Sequence, residues 1–218
     1  MPLNSPNAPE STPGHGSIIG PGFPFEGELR IRPLEPLEAE PARAGEDSDD
    51  CRLCQAGDQE YVWVSDRWRV RSTDRPTGLP VVLGLELRSH LEFGHLPNLL
   101  AAELGVMTVR LERAMRSLVG VAQVHISRSG DDEAHLRVWF LGRPTGRLQL
   151  RGKFLPLWDE ILPPVAEEEW RERLGLVAAL LADFGGRAVV DPPRIAWQSF
   201  ADLAAKPSGS TNDAGSDA

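Results

Sequence analysis

Two cysteines are the residues of this sequence whose type and spacing most directly indicate chemistry. Cys51 and Cys54 are the only cysteines among the 218 residues, and they form a C-x-x-C pair. Such a pair is typical of a metal site or a redox centre, and it also arises by coincidence. The N-terminus lacks the pattern of a secretory signal, so a cytoplasmic location is expected, where a structural disulfide is disfavoured.

A second chemical feature is the alternating stretch DDEAHLRVWFLGRP at residues 131–144. His135, Arg137 and Trp139 occupy every second position there. Side chains of a strand point alternately to opposite faces, so these three are predicted to share one face. The residues between them are apolar and are predicted to face a core. The polar row either lines a site or belongs to a solvated face.

The elements needed to position these residues are visible in the hydrophobic pattern. Residues 60–74 contain two short alternating runs around a polar turn and predict a hairpin, and residues 78–90 predict a third, buried strand. A long central helix follows, and residues 122–142 predict a second hairpin. A C-terminal helix lies within residues 163–186. The central helix is predicted from apolar residues three and four apart: Leu100, Leu104, Met107, Leu111, Met115 and Leu118.

This order of elements predicts an α+β fold with a mainly antiparallel five-stranded sheet, a long central helix and a C-terminal helix. Residues 1–50 are rich in proline and acidic residues and are expected to be a disordered leader. The domain is expected to span residues 51–187, with a mostly disordered extension at 188–218. The formal net charge of -9 disfavours nucleic-acid binding, and no stretch has the length of a membrane span.

Four pieces in this order resemble the histidine-triad (HIT) superfamily. They are the C-x-x-C pair, the segment DRPTGLPVVLGLELRSH, the helix start HLPNLLAAELG, and the strand AHLRVWFLGRP. The resemblance covers residues 51–144 and rests on the order and spacing of the pieces. It implies a HIT-like fold and a relation to proteins that bind nucleotides and hydrolyse or transfer nucleotidyl groups.

The resemblance also shows where this chain departs from the family. His135 matches the first histidine of the triad, Arg137 the second and Trp139 the third. In the family the second histidine is the nucleophile that attacks the α-phosphate. A guanidinium stays protonated and has no free lone pair, so position 137 cannot form that covalent intermediate. The motif is a degenerate triad, His-x-Arg-x-Trp.

One branch of the family carries a structural zinc, and the resemblance implies its ligands here. They are Cys51, Cys54, His90 and His135, with His95 as an alternative to His90. Cysteine and histidine are the ligands of closed, tetrahedral structural zinc sites. On this interpretation His135 is retained for the metal, while the other two triad positions have changed.

Two functional hypotheses follow for the triad strand. In the first, the chain is a HIT-like protein that is non-catalytic by the histidine mechanism and binds a purine nucleotide through Arg137 and Trp139, or a partner. In the second, it is a nucleotidyl hydrolase or transferase acting on dinucleoside polyphosphates or phosphoramidates by a modified route, so the enzyme question stays open. Arg137 either holds an anion or pairs with Asp132 or Glu133. Trp139 either stacks on a base or is buried under the C-terminal helix. The resemblance further implies a homodimer.

Overall fold

The computed structural model describes residues 22–27, 30, 32–128, 131 and 133–191. The remaining residues include most of the predicted leader and C-terminal extension, which therefore lie outside the described part of the chain. Within that part are six strands and four α-helices. The strands are β1 Trp63–Val64, β2 Trp68–Ser72, β3 Val82–Leu87, β4 Val121–Ser127, β5 Arg137–Pro144 and β6 Arg187–Ala188; the helices are α1 Arg52–Gln55, α2 Asn98–Arg116, α3 Leu155–Ile161 and α4 Glu167–Ala182.

The strands form one sheet in the order β4-β5-β3-β2-β1-β6, and every pairing between neighbours is antiparallel. The predicted first hairpin is confirmed, because β1 pairs with β2 across the turn that begins at Ser65. All six residues of β3 are buried, as its continuous apolar pattern predicts. β3 is the link between the two hairpins, since it pairs with β2 on one side and β5 on the other.

Helices α2 and α4 cover one face of the sheet. The stripe of α2 faces inward at Leu104, Met107, Leu111 and Met115, as its spacing of three and four residues requires. Three acidic residues open α4, where they complement the positive end of the helix dipole. The main core forms between these helices and the sheet residues that alternate with the polar row, which are Leu136, Val138 and Phe140.

The α+β prediction is confirmed, while the predicted strand number is wrong by one. The sixth strand is the two-residue β6, which pairs with β1 at the sheet edge and carries no periodicity that a sequence pattern could display. Helix α3 is also absent from the prediction, because its seven residues are too few to show a helical stripe. None of the described helices combines the length and apolarity that crossing a membrane requires.

Part of the sequence before residue 51 contacts the folded domain. The Trp158 indole donates to the carbonyl oxygen of Gly22 at 2.6 Å, and the rings of Phe23 and Phe154 pack edge to face. Arg43 forms a two-point ion pair with Glu92, at 2.7 and 3.1 Å. The predicted domain limits stay predictions, but these contacts connect residues 22–23 and 43 to the domain.

Candidate metal centre and triad strand

The two cysteines are placed on one side of a single helical turn. Cys51 lies directly before α1, and Cys54 lies within that helix. Residues three apart on a helix face the same way. The turn is held to the sheet because Arg69 of β2 donates to the carbonyl oxygens of Leu53 and Ala56, at 2.8 and 3.2 Å. Both sulfurs are therefore directed toward the same space.

Two histidines reach that space from neighbouring strands. His90 follows β3 and His135 precedes β5, and these strands pair with each other. The Nδ1 atom of His135 lies 3.3 Å from Cys51 Sγ and 3.5 Å from Cys54 Sγ, and the Nδ1 atom of His90 lies 3.3 Å from Cys54 Sγ. The structure thus brings together the four residues that the resemblance assigned as ligands.

Backbone carbonyls fix the orientation of both imidazole rings. His135 Nε2 lies 2.6 Å from the carbonyl oxygen of Leu87, and His90 Nε2 lies 3.2 Å from that of Glu46. A neutral imidazole has one N–H, so Nε2–H donates to the carbonyl and the Nδ1 lone pair faces the sulfurs. Such partners set the tautomer and orientation of histidines that ligate metals.

The cluster has the donor types and spacing of a tetrahedral zinc site. One ligand atom from each of the four residues lies within 4.8 Å of the others. Tetrahedral zinc with Zn–S of ~2.3 Å and Zn–N of ~2.0 Å separates its ligand atoms by about 3.3–3.8 Å. The expectation of a structural zinc is supported by this geometry. His90 belongs to the cluster, whereas the alternative, His95, ends a short 3₁₀ turn and does not.

Without a metal, the surroundings of the cluster keep the Cys54 thiol protonated and the His135 imidazole neutral. Burial, together with a hydrogen bond that the Cys54 thiol donates to the neighbouring Cys51 sulfur, raises the pKa of Cys54 to about 11. Burial also lowers the pKa of His135, which keeps its imidazole in the neutral form that binds metals. Zinc binding would therefore displace a proton from Cys54 and make the affinity depend on pH.

Arg137, at the central triad position, is held by two carboxylates. Its Nε donates to Glu86 Oε1 at 2.8 Å, and its Nη1 lies 3.3 Å from Glu133 Oε2. Glu86 is fully buried and also accepts a hydrogen bond from the Tyr61 hydroxyl at 3.0 Å. Of the two ion-pair partners predicted, Glu133 is present and Asp132 lies outside the described residues. Glu86 is the additional partner.

Trp139 shares a face with Arg137, as the alternation predicts. The guanidinium carbon of Arg137 lies 5.1 Å from the centre of the Trp139 ring. The ring is partly buried and packs against a second apolar cluster on this side of the sheet. That cluster contains Leu79, Val82, Leu141, Leu150 and Leu155. Trp139 is therefore a packing residue in this structure, and its role toward a nucleotide stays a prediction.

The centre of this sheet face is occupied by the chain itself. Arg69 lies over the Tyr61 ring at 4.3 Å, and Arg71 pairs with Glu60 at 2.6 Å. Arg69, Arg71 and Glu86 are all buried, and Arg69 donates to the segment that carries the cysteines. These side chains form a polar network beside Arg137.

Glu86, Tyr61 and Arg69 were not identified as site residues from the sequence. Glu86 did carry a signal, because it is the only charged residue in the apolar run VVLGLEL. A buried carboxylate needs a cation or donors around it. Finding which arginine pairs with it requires the register, in which Glu86 lies opposite Arg137.

Comparisons with known proteins give similarity in structure only. No family model matches the chain, and no curated protein matches it. A histidine triad nucleotide-binding protein from Sulfolobus tokodaii shows 13% identity over 62% of this chain and 93% of its own, with a TM-score of 0.46. A zinc-bound histidine triad family protein from Mycobacterium smegmatis shows 15% identity over 63% of this chain and 97% of its own, with a TM-score of 0.45.

A histidine triad protein from Bradyrhizobium japonicum shows 19% identity over 56% of this chain and 87% of its own, with a TM-score of 0.43. These are distant similarities in both sequence and structure. All three of these solved structures are of histidine triad proteins.

Proposed function

We propose that this chain is a HIT-like binding domain that is held together by a structural zinc and does not transfer nucleotidyl groups through a histidine. The zinc ligands are Cys51, Cys54, His90 and His135, whose donor atoms converge. With four protein ligands the coordination is closed, and such a site stabilises a fold without activating water.

The observation that carries the non-catalytic part is the ion pair between Arg137 and Glu86. A nucleophile at position 137 needs a lone pair, and a guanidinium has none. The 2.8 Å contact to a fully buried carboxylate also holds this side chain in place and neutralises it. The central triad position thus has a role in packing the sheet.

The same contacts bear on nucleotide binding by Arg137 and Trp139. Arg137 already faces Glu86 and Glu133, and these carboxylates oppose the approach of a phosphate. Part of the Trp139 ring remains accessible for stacking on a base. We therefore expect any purine nucleotide to bind weakly on this face, with stacking as its main contribution.

An activity assay on the full-length, zinc-loaded protein tests the proposal. Diadenosine polyphosphates and adenosine phosphoramidate are incubated with the wild type, Arg137→His and Arg137→Lys, and the products are quantified by chromatography. Wild type and Arg137→Lys are expected to give no turnover above a protein-free blank. The lysine variant is the matched control because its ammonium also lacks a lone pair.

Two outcomes of this assay would change the conclusion. Turnover by the wild type would overturn the non-catalytic proposal, and its loss in Arg137→Ala would favour direct water attack assisted by Arg137. A covalent nucleotide adduct on the wild type, detected by intact mass, would have the same consequence. Activity gained only in Arg137→His would show that the substitution at position 137 is what silences the domain.

The zinc part of the proposal has a separate test. Metal analysis of the protein, purified without a metal-binding tag, is expected to give about one zinc per chain. Cys54→Ser and His135→Ala should each lower the zinc content, while His95→Ala, the matched control, should not. Equal zinc loss in His95→Ala and His90→Ala would contradict the ligand assignment. A cytoplasmic location is part of the proposal, since it keeps the thiols reduced.

A homodimer is also proposed, through the outer face of α2. Leu99, Val106 and Val109 of this helix are exposed, with Leu99 65% accessible. Apolar groups in a row on a helix surface are typical of an interface. Light scattering at several concentrations should give twice the monomer mass, and Val106→Glu should give the monomer mass. A monomer at all concentrations would remove the dimer from the proposal.

A further inference from the structure

Arg143, near the end of β5, is a buried cation without a matching carboxylate. Only 8% of its surface is accessible. Within the part of the chain that the structure describes, its one hydrogen bond runs from Nη1 to the backbone oxygen of Pro144, at 3.3 Å. Among the described residues, no carboxylate lies within the 4.0 Å ion-pair distance of its guanidinium.

The other arginines that are buried or partly buried in the described sheet and helices have closer polar partners. Arg71 pairs with Glu60, Arg137 with Glu86, and Arg173 with Glu169. Arg69 also has no carboxylate partner and its Nε is enclosed without one, but its two Nη atoms donate to carbonyl oxygens and its guanidinium lies over an aromatic ring. Removing a cation from water without a partner is costly, so proteins rarely do it without a reason. Arg143 therefore calls for a functional explanation.

The unused donors of Arg143 lie at the small part of its side chain that is not enclosed. A guanidinium carries five N–H donors, and only one bond is formed. Neither its Nε nor its Nη2 is among the enclosed polar atoms that lack a partner, so each retains accessible surface. The stem of the side chain is thus fixed by packing while an edge of the guanidinium stays available. This is the geometry suited to a planar, two-oxygen partner.

Two further donors lie on the same face, contributed by β4. In the register of β4 and β5, Gln123 is opposite Arg143 and His125 is opposite Leu141. Opposite residues share a face, as do residues two apart on one strand. Arg143, Gln123 and His125 are therefore neighbours. Burial, and secondarily the charge of Arg143, lower the pKa of His125, which is consistent with an uncompensated positive charge beside it.

We propose that Arg143, with His125 and Gln123, binds the oxyanion group of a small ligand, a phosphate or a carboxylate. The guanidinium supplies two parallel N–H donors, and the imidazole and amide supply one each. The site is separate from the triad position, because six residues of strand place Arg143 about 20 Å from Arg137. It does not depend on zinc or on the absence of catalysis.

An NMR titration of the zinc-loaded full chain tests this site. The side-chain signals of His125 are followed while inorganic phosphate or succinate is added, with chloride at the same ionic strength as the reference. A saturable shift is expected with at least one of the two anions. Arg143→Gln should weaken the binding at least tenfold. Arg116→Gln, an exposed arginine on α2, is the matched control and should bind like the wild type.

The outcomes of the titration identify the class of anion that binds or overturn the proposal. Saturation with phosphate alone assigns the site to phosphorylated ligands, and saturation with succinate alone assigns it to carboxylates. Shifts no larger than those with chloride would overturn the proposal, as would equal weakening in Arg116→Gln. If Arg143→Gln does not fold, Arg143→Lys and Gln123→Leu replace it, since both keep the His125 signals. Unchanged binding in both of those variants would also overturn the proposal.

Discussion

The ion pair between Arg137 and Glu86 gives the most direct prediction about stability. Arg137→Met keeps most of the apolar stem, which packs over Gly84, and removes the charge. Glu86 is then left fully buried with the Tyr61 hydroxyl at 3.0 Å as its remaining hydrogen bond. The variant therefore isolates the effect of withdrawing the counter-charge from an enclosed carboxylate.

The expected loss is large for a single substitution. Breaking a buried ion pair by removing one partner costs roughly 3–5 kcal/mol. Glu86→Gln should cost less, about 1–2 kcal/mol, because the amide oxygen still accepts from Tyr61 and Arg137 keeps Glu133. In the double variant no fully buried charge is left without its partner, although the part-exposed Glu133 loses its pair, so the loss of stability should fall short of the sum by about 1–3 kcal/mol.

Urea unfolding of the zinc-saturated wild type, both single variants and the double variant measures this coupling. If the proteins are unfolded by heat instead, the loss of stability in Arg137→Met corresponds to a decrease in Tm of roughly 6–20 °C for a domain of this size. The matched control is Arg116→Met, whose exposed pair with Glu112 has N and O atoms 3.5 Å apart. That substitution should change the free energy of unfolding by less than ~0.5 kcal/mol.

The interpretation would be refuted in either of two ways. A loss below ~1 kcal/mol for Arg137→Met would mean that Glu86 does not rely on this cation. Strict additivity in the double variant would mean that the two side chains do not interact, whatever their 2.8 Å separation. Both results would remove the structural reason for an arginine at the central triad position.

Three further predictions concern other parts of the domain. Burial raises the pKa of the Asp159 carboxyl, so its charged form is disfavoured in the folded state and its effect on folding becomes less favourable as pH rises through the acidic range. Asp159→Asn should therefore gain stability relative to the wild type between about pH 3 and 7 in urea titrations, and a constant difference would argue against this. Trp158→Phe removes the bond to Gly22 and should cost ~1 kcal/mol and speed proteolytic cleavage near residue 22, with unchanged cleavage as the contrary result. Chelation of zinc should lower Tm and release about one equivalent of metal. A Tm unaffected by the chelator would mean that the metal does not stabilise the fold.

The sequence was most informative where a regular pattern extended over many residues. The stripe of α2 and the continuous run of β3 repeat often enough to specify an element and its buried side. The residues of β6 and α3 do not show such a repeat, because two and seven residues are too few to display the period of a strand or a helix. These elements form because the sheet edge and the second apolar cluster provide partners that are distant in sequence.

The candidate site also has some features that the sequence reveals and others that only the fold reveals. The C-x-x-C pair is local and visible, and the resemblance supplied His90 and His135 as its distant companions. The partnership of Arg137 with Glu86 depends on the register between β3 and β5, which no local pattern contains. The carbonyl oxygens that orient His90 and His135 likewise cannot be identified from the sequence, since every residue has a backbone carbonyl.

The placement of the four ligands has a consequence for how the protein is made. Cys54 precedes His90 by 36 residues, and Cys51 precedes His135 by 84 residues. During synthesis the coordination sphere stays incomplete until position 135 has emerged from the ribosome. Even then His90 and His135 meet only once β3 and β5 are side by side. Metal binding would therefore occur only when the central sheet is complete. The rate of metal binding would report the rate at which β3 and β5 pair.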